Sequence, residues 1–322
     1  MDMKSSFHDL VHDQCKLIMI GGKGGVGKTT CAAALALHFA QEGKKTLIIS
    51  SDPTPSLSDI FEMSIGDRET AIEGIPNLYG IEISSEVVLE MWRERFGPEI
   101  YEVVSSFANL DYEFVDYIGT APGIEEEYML SYILDLVESG QYELVIWDTA
   151  PAGHTMRLLR LPHLFLKHLE AATKFYLNIY SYFEKAKASV RLRKGKRSIL
   201  EVISSWEDLA ERIVRFIRDK AKTAFVLVTI PEALGVKQTQ RIIKDFDSDQ
   251  MEVRFLIVNH VIQEADCAFH EIRKEMQQKY IGILEAEYGD RIPLIHVPEF
   301  PLEVKGVDRI SEVSEILFTA PE

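Results

Sequence analysis

GGKGGVGKTT, residues 21–30, decides how the rest of the chain is read. The apolar run LIMI (17–20) precedes it and CAAALALHFA (31–40) follows, so the glycines lie between a strand and a helix. Within it Gly22-Lys23-Gly24-Gly25-Val26-Gly27-Lys28-Thr29 fits G-x-x-x-x-G-K-[ST], and Thr30 continues into the helix. Glycines let backbone N–H groups turn inward around phosphate oxygens, and the helix N-terminus adds partial positive charge. Lys28 is placed to neutralise the outer phosphates and the Thr29 hydroxyl to help hold Mg²⁺. Lys23 is a second lysine, which that chemistry within one chain does not require.

Outward from the loop, short apolar runs recur at 17–20, 46–49, 144–147, 224–230 and 255–258, with a sixth near 293–297. Continuous runs of this length suit strands buried on both faces, and helical stretches separate them. The expected fold is therefore α/β: a doubly wound, mostly parallel sheet in a phosphate-loop nucleotide hydrolase core. Residues 1–322 are read as one domain with two helical insertions, roughly 85–139 and 156–220, forming a subdomain. In the second, Ile199, Val202, Ile203, Trp206, Leu209, Ile213, Phe216 and Ile217 recur at helical spacing. The basic run RLRKGKR (191–197) is read as a solvated loop. No internal repeat is visible.

Composition narrows the function classes. A net charge of −16 over 322 residues argues against nucleic-acid partners. Three scattered cysteines, Cys15, Cys31 and Cys267, suit a reducing compartment rather than a disulfide framework. No apolar run approaches the roughly 20 residues of a spanning helix, and MDMKSSFHDLVHDQ has no secretory apolar core. A cytoplasmic location is expected.

Two carboxylates follow strands: Asp52 in SSDPTPSLSD and Asp148 in DTAPAGH. Ligands of open α/β sheets bind at the carboxyl ends of strands, so both are expected to face the terminal phosphate. One would position or deprotonate a water and the other would organise Mg²⁺; capping of the next helix is the alternative for each.

GGKGGVGKTT, SSDPTPSLSDIF, DTAPAGHTMRLLRLP, IPEALGVKQTQR, IVNH and PLEVKGV occur in one order along nearly the whole chain. Together they resemble the arsenical-pump (ArsA-type) ATPase family, and within it the guided-entry type ATPases that target tail-anchored membrane proteins, in their single-domain form. The resemblance implies ATP and Mg²⁺ as cofactors and a homodimer as the working state. In this deviant loop it gives Lys23 a catalytic role across the dimer, against the partner's nucleotide; charge supplied in trans contributes roughly 10³–10⁵ in rate in comparable enzymes. It makes Asp52 the residue that activates water and Asp148 with Thr29 the magnesium pair. Residues 51–59 and 148–155 become switches one and two. Glu232, Asn259 and Pro298 become nucleotide contacts, with Asn259 at the adenine edge. The chain departs from the family at Pro55 and Ser56, where relatives carry histidine and asparagine.

Cys267 and His270 form Cys-x-x-His where the targeting ATPases often have Cys-x-x-Cys. The resemblance implies one Zn²⁺ per dimer, held by two residues from each protomer, a donor set acceptable to zinc. A partly buried cysteine and an exposed helical histidine are the alternative.

The resemblance also supplies the partners: a hydrophobic tail-anchor segment and a membrane receptor. Covering a helix of about 20 residues needs an apolar groove, and the insertions offer Phe107, Leu166, Leu169, Phe175, Trp206, Leu209 and Ile213 for it. Arsenite binding is disfavoured, because it relies on clustered thiolates in a duplicated chain. The competing class is a deviant-loop ATPase acting as a positioning switch with an unidentified partner; the acidic ending SEVSEILFTAPE argues against its membrane-bound version.

Overall fold

The computed structural model describes residues 7, 14–51, 56–105, 111–120, 124–149 and 196–319. Among these, eight strands form one sheet: β1 (Leu17–Gly22), β2 (Thr46–Ser50), β3 (Thr70–Ala71), β4 (Leu78–Glu82), β5 (Leu144–Asp148), β6 (Thr223–Thr229), β7 (Val253–Val261) and β8 (Leu294–Pro298). Their order is β3-β4-β2-β5-β1-β6-β7-β8. Every neighbouring pair is parallel except β3 with β4.

The connecting helices are α1 (Lys28–Gln41), α2 (Leu57–Ile60), α3 (Ser85–Ser105), α4 (Glu113–Gly119), α5 (Ile124–Ser139), α6 (Lys196–Arg218), α7 (Ala233–Ser248), α8 (Ala268–Tyr288) and α9 (Gly306–Phe318). All six strands expected from the apolar runs are present. β1, β2, β5 and β6 are buried at every position, which is why their sequences lack polar alternation. The two strands the runs do not announce, β3 and β4, extend the sheet beyond β2. β3 has two residues, and β4 reads LYGIE, with Tyr79 and Glu82 half-buried.

The chain divides into two compact units. The first comprises Met1–Ser85, Asp135–Met156 and Arg218–Glu322. Its core follows from the sheet and from α1, whose run Cys31–Leu37 is fully buried. A helix apolar on all sides is covered on all sides: α1 packs against α9, where the His38 and Phe318 rings stack at 3.3 Å. Phe7 stacks on Phe255 of β7 at 4.2 Å.

The second unit comprises Glu86–Leu134 and Arg157–Ile217. Its described part is helical. The apolar face expected over 199–217 is present along α6, where Ile203, Ala210, Ile213 and Ile217 are buried. Arg93 of α3 pairs with Asp116 of α4 at 3.0 Å, and Trp206 Nε1 donates to Glu99 Oε2 at 2.7 Å. No helix among the described residues is long and apolar enough to cross a membrane.

Candidate active site

The glycine loop leaves β1 at the middle of the sheet and enters α1, as the motif demands. Gly22 lies so close to β6 that a Cβ there would stand 2.3 Å from the Val228 carbonyl oxygen. Gly27 has φ +89° and caps α1, its carbonyl accepting from Cys31 N at 3.0 Å. A Cβ on Gly27 would meet Asn259 Nδ2 at 2.2 Å, so both space and backbone conformation demand glycine. The loop is thus tightly packed at both glycines, the backbone geometry that a phosphate-cradling turn requires.

Lys28 and Asp148 stand in this cradle, 6% and 1% exposed. Burying either charge without a partner is costly. Thr29 Oγ1 donates to Asp148 Oδ2 at 2.6 Å, drawing the carboxyl end of β5 against the start of α1. A hydroxyl and a carboxylate in contact beside a phosphate loop form an oxygen donor pair suited to Mg²⁺, a hard cation that keeps several waters. The residues therefore fit a magnesium–nucleotide. Burial first, and then the Asp148 charge, push the Cys31 thiol up to about 12, which keeps it protonated and unreactive beside the loop.

The neighbouring strand ends are stitched together. Thr149 Oγ1 donates to the Ile20 carbonyl at 2.8 Å, and Trp147 Nε1 donates to Ser51 Oγ at 3.0 Å. Ser51 therefore opens the segment 51–59 in a defined place. Asp52, Pro53, Thr54 and Pro55 lie outside the described residues, as does 150–155 of the second switch segment.

Asn259 comes to the loop by a local irregularity. The β7–β8 register shifts between Val258 and Val261, and His260 has φ +57°. That break in the ladder leaves Asn259 buried, with Nδ2 donating to the Val26 carbonyl at 2.9 Å. The amide assigned to the adenine edge spends at least one donor on bracing the loop. Glu232 caps α7 and pairs with Arg273 of α8 at 3.3 Å. Pro298 ends β8, half-buried, in register with Val261. Lys23 is half-buried on the loop.

At the start of α8, Asp266, Cys267 and His270 place their donor atoms within 4.8 Å of one another. The Asp266 carboxylate is hydrogen-bonded to His270 Nδ1. That bond first, with backbone and Cys267 hydrogen bonds, holds Asp266 below the usual carboxylate range. The spacing Cys-x-x-His gave two of these residues, and Asp266 was missed because one aspartate before a cysteine is indistinguishable from solvated surface.

Within the helical unit, α3–α6 line a half-open cavity of about 240 Å³. Trp206, Leu209 and Ile213, three of the expected groove residues, line it with Trp92 and Phe96. Among its lining residues are Glu127, pushed up to about 8 by burial, and Ser131, whose buried hydroxyl has no hydrogen-bond partner among the described residues. Phe107, Leu166, Leu169 and Phe175 lie outside the described residues.

The model of the anion-transporting ATPase family matches residues 15–319. The chain is 32% identical over 316 residues to ATPase ASNA1 homolog 1 of Paramecium tetraurelia, covering 96% of this chain and 94% of that protein. It is 33% identical over 313 residues to the ATPase ASNA1 homolog of Dictyostelium discoideum, covering 95% and 90%. It is 32% identical over 310 residues to ATPase get3 of Pyrenophora tritici-repentis, covering 93% and 90%.

Proposed function

The chain belongs to the anion-transporting ATPase family and is an ATPase, and from that premise we propose that it is a homodimeric, cytoplasmic factor that shields hydrophobic tail-anchor segments and delivers them to a membrane receptor. The observation that carries the proposal is the apolar cavity of the helical unit, lined by Trp206, Leu209 and Ile213. Its 240 Å³ decides what it can hold. An engineered cavity of about 150 Å³ holds one benzene, so this one takes one or two large side chains and not a helix of roughly 30 Å. It is read as the anchor point of a longer groove, to which Phe107, Leu166, Leu169 and Phe175 are assigned.

Hydrolysis is assigned to the chain's own groups. Lys28 and the loop amides hold the phosphates. Asp52 takes the proton of the attacking water, and Lys23 answers the charge that develops on the partner's nucleotide. Thr29 and Asp148 would hold Mg²⁺, which would supply charge neutralisation at the phosphates. Glu232, Asn259 and Pro298 complete the nucleotide contacts.

The dimer is supported by α8, where the exposed Phe269, Ile272 and Met276 share one face close in sequence to Cys267 and His270. A Zn²⁺ shared between protomers would take Cys267 and His270 from each. With Nδ1 bonded to Asp266, Nε2 would be the nitrogen available to a metal, as in carboxylate–histidine pairs.

The test is protection of a tail-anchored client, diluted from detergent and followed by light scattering. ATP-loaded protein is expected to suppress aggregation and nucleotide-free protein is not. Equal protection without nucleotide would contradict the proposal.

A further inference from the structure

We propose that Glu82 is a positioning residue for ATP hydrolysis: its carboxylate, at the carboxyl end of β4, pins residues 56–58, the downstream end of the segment whose sequence carries Asp52. The proposal rests on the reading of residues 51–59 as a nucleotide-sensing switch with Asp52 activating the water.

One side chain gathers four hydrogen bonds from a single short stretch. Glu82 Oε1 accepts from Ser56 N at 2.5 Å and Leu57 N at 2.9 Å. Oε2 accepts from Ser58 N at 3.4 Å and Ser58 Oγ at 2.6 Å. The Ser58 hydroxyl has one hydrogen, which goes to the nearer acceptor, while its oxygen accepts from Ile65 N at 3.1 Å. Helix α2 needs this help. At four residues it has almost no internal ladder, and Ser56 makes no side-chain cap. The first N–H groups of any helix lack partners within it, and a carboxylate supplies charge-assisted ones.

The upstream end is held separately. Ser51 Oγ accepts from Trp147 Nε1 at 3.0 Å, and Ser51 N donates to the Asp148 carbonyl at 3.4 Å. Ser50 Oγ and Ser56 Oγ approach to 3.3 Å, which closes the base of the segment. In sequence, Asp52 follows the first anchor by one residue and precedes the second by four. Glu82 contacts 56–58 through backbone N–H groups and Ser58, so the anchoring does not depend on the side chains at 55 and 56, where the chain departs from its relatives. β4 is separated from β1 by β2 and β5. Loss of Glu82 should therefore disturb the water-activating step and spare the phosphate cradle.

The test compares wild type, Glu82→Ala, Glu82→Gln and Asp52→Asn by steady-state hydrolysis, equilibrium ATP binding and thermal unfolding. Misplacing a reacting group by about 1 Å costs on the order of 100-fold. Glu82→Ala is expected to lower kcat about 10- to 100-fold with ATP affinity changed by less than about threefold. Glu82→Gln, whose amide oxygen still accepts from Ser56 and Leu57, should recover part of the loss. Unchanged kcat in Glu82→Ala, or kcat and ATP affinity falling together, would overturn the proposal. If Glu82→Ala does not fold, Ser58→Ala removes one of the four bonds and must still lower kcat; unaltered turnover there overturns it equally. Full turnover by Asp52→Asn would overturn the switch reading itself, whatever Glu82 variants do.

Discussion

Thr29 Oγ1 donates to Asp148 Oδ2 at 2.6 Å, joining the first turn of α1 to the end of β5 across 119 residues of sequence. Thr29→Val removes the hydroxyl at nearly constant shape and leaves the buried carboxylate without that donor. Hydrogen bonds to charged groups contribute about 1.5–3 kcal/mol, roughly 10- to 150-fold. Turnover at limiting Mg²⁺ is expected to fall by about that factor. The half-saturating Mg²⁺ concentration should rise, and an unshifted Mg²⁺ titration would show that the pair does not serve the metal.

Lys23 lies on the loop yet is assigned to the opposite protomer, which subunit mixing separates from a role within its own chain. Lys23→Ala and Asp52→Asn should each be inactive alone. In a mixed dimer, the site that keeps Asp52 receives Lys23 from its partner. Random 1:1 mixing should then restore roughly a quarter of wild-type turnover. No recovery, in a mixture shown to exchange subunits, would place Lys23 in its own site.

Cys15 and Cys31 are buried and Cys267 is exposed. Under native conditions one thiol per chain should react quickly with a maleimide, and Cys267→Ser should abolish that reaction. Zinc held by Cys267 and His270 should slow labelling at least about tenfold, since a coordinated thiolate is no longer free. Labelling indifferent to zinc would remove the metal from the account.

Glu127 gives a pH signature. Burial pushes its carboxyl from 4.5 to about 8, so between those values the folded chain keeps a proton that the unfolded chain releases. Its presence is harmless below pH 4.5. Its cost grows as pH rises and levels off above about 8, because stability falls wherever the folded state binds more protons. Glu127→Gln should therefore raise Tm relative to wild type at pH 8 more than at pH 5. A difference independent of pH would mean the carboxyl titrates normally. At neutral pH the protonated acid also leaves the cavity uncharged, as an apolar occupant requires.

The parts legible in the sequence are those whose residues act locally. β1, β2, β5 and β6 are buried on both faces, so unbroken apolar runs mark them. The loop's glycines, Lys28 and Thr29 sit within one motif. β4 escaped because Tyr79 and Glu82 interrupt its apolar character. Glu82 escaped for another reason: its partners lie 24–26 residues away, and no spacing rule links a strand-end glutamate to backbone N–H groups. The family resemblance singles out Asn259, but its bond to Val26 depends on a bulge that IVNH does not announce.

Under the proposed function, ATP binding makes a dimer of this chain hold a transmembrane segment. The direct test is co-expression of the Asp52→Asn chain with a C-terminal transmembrane segment, followed by native mass spectrometry with ATP. The account predicts one segment per ATP-loaded dimer, lost when the segment's leucines are made polar. An ATP-saturated dimer that captures no segment would contradict it and leave an ATPase whose helical unit serves some other partner.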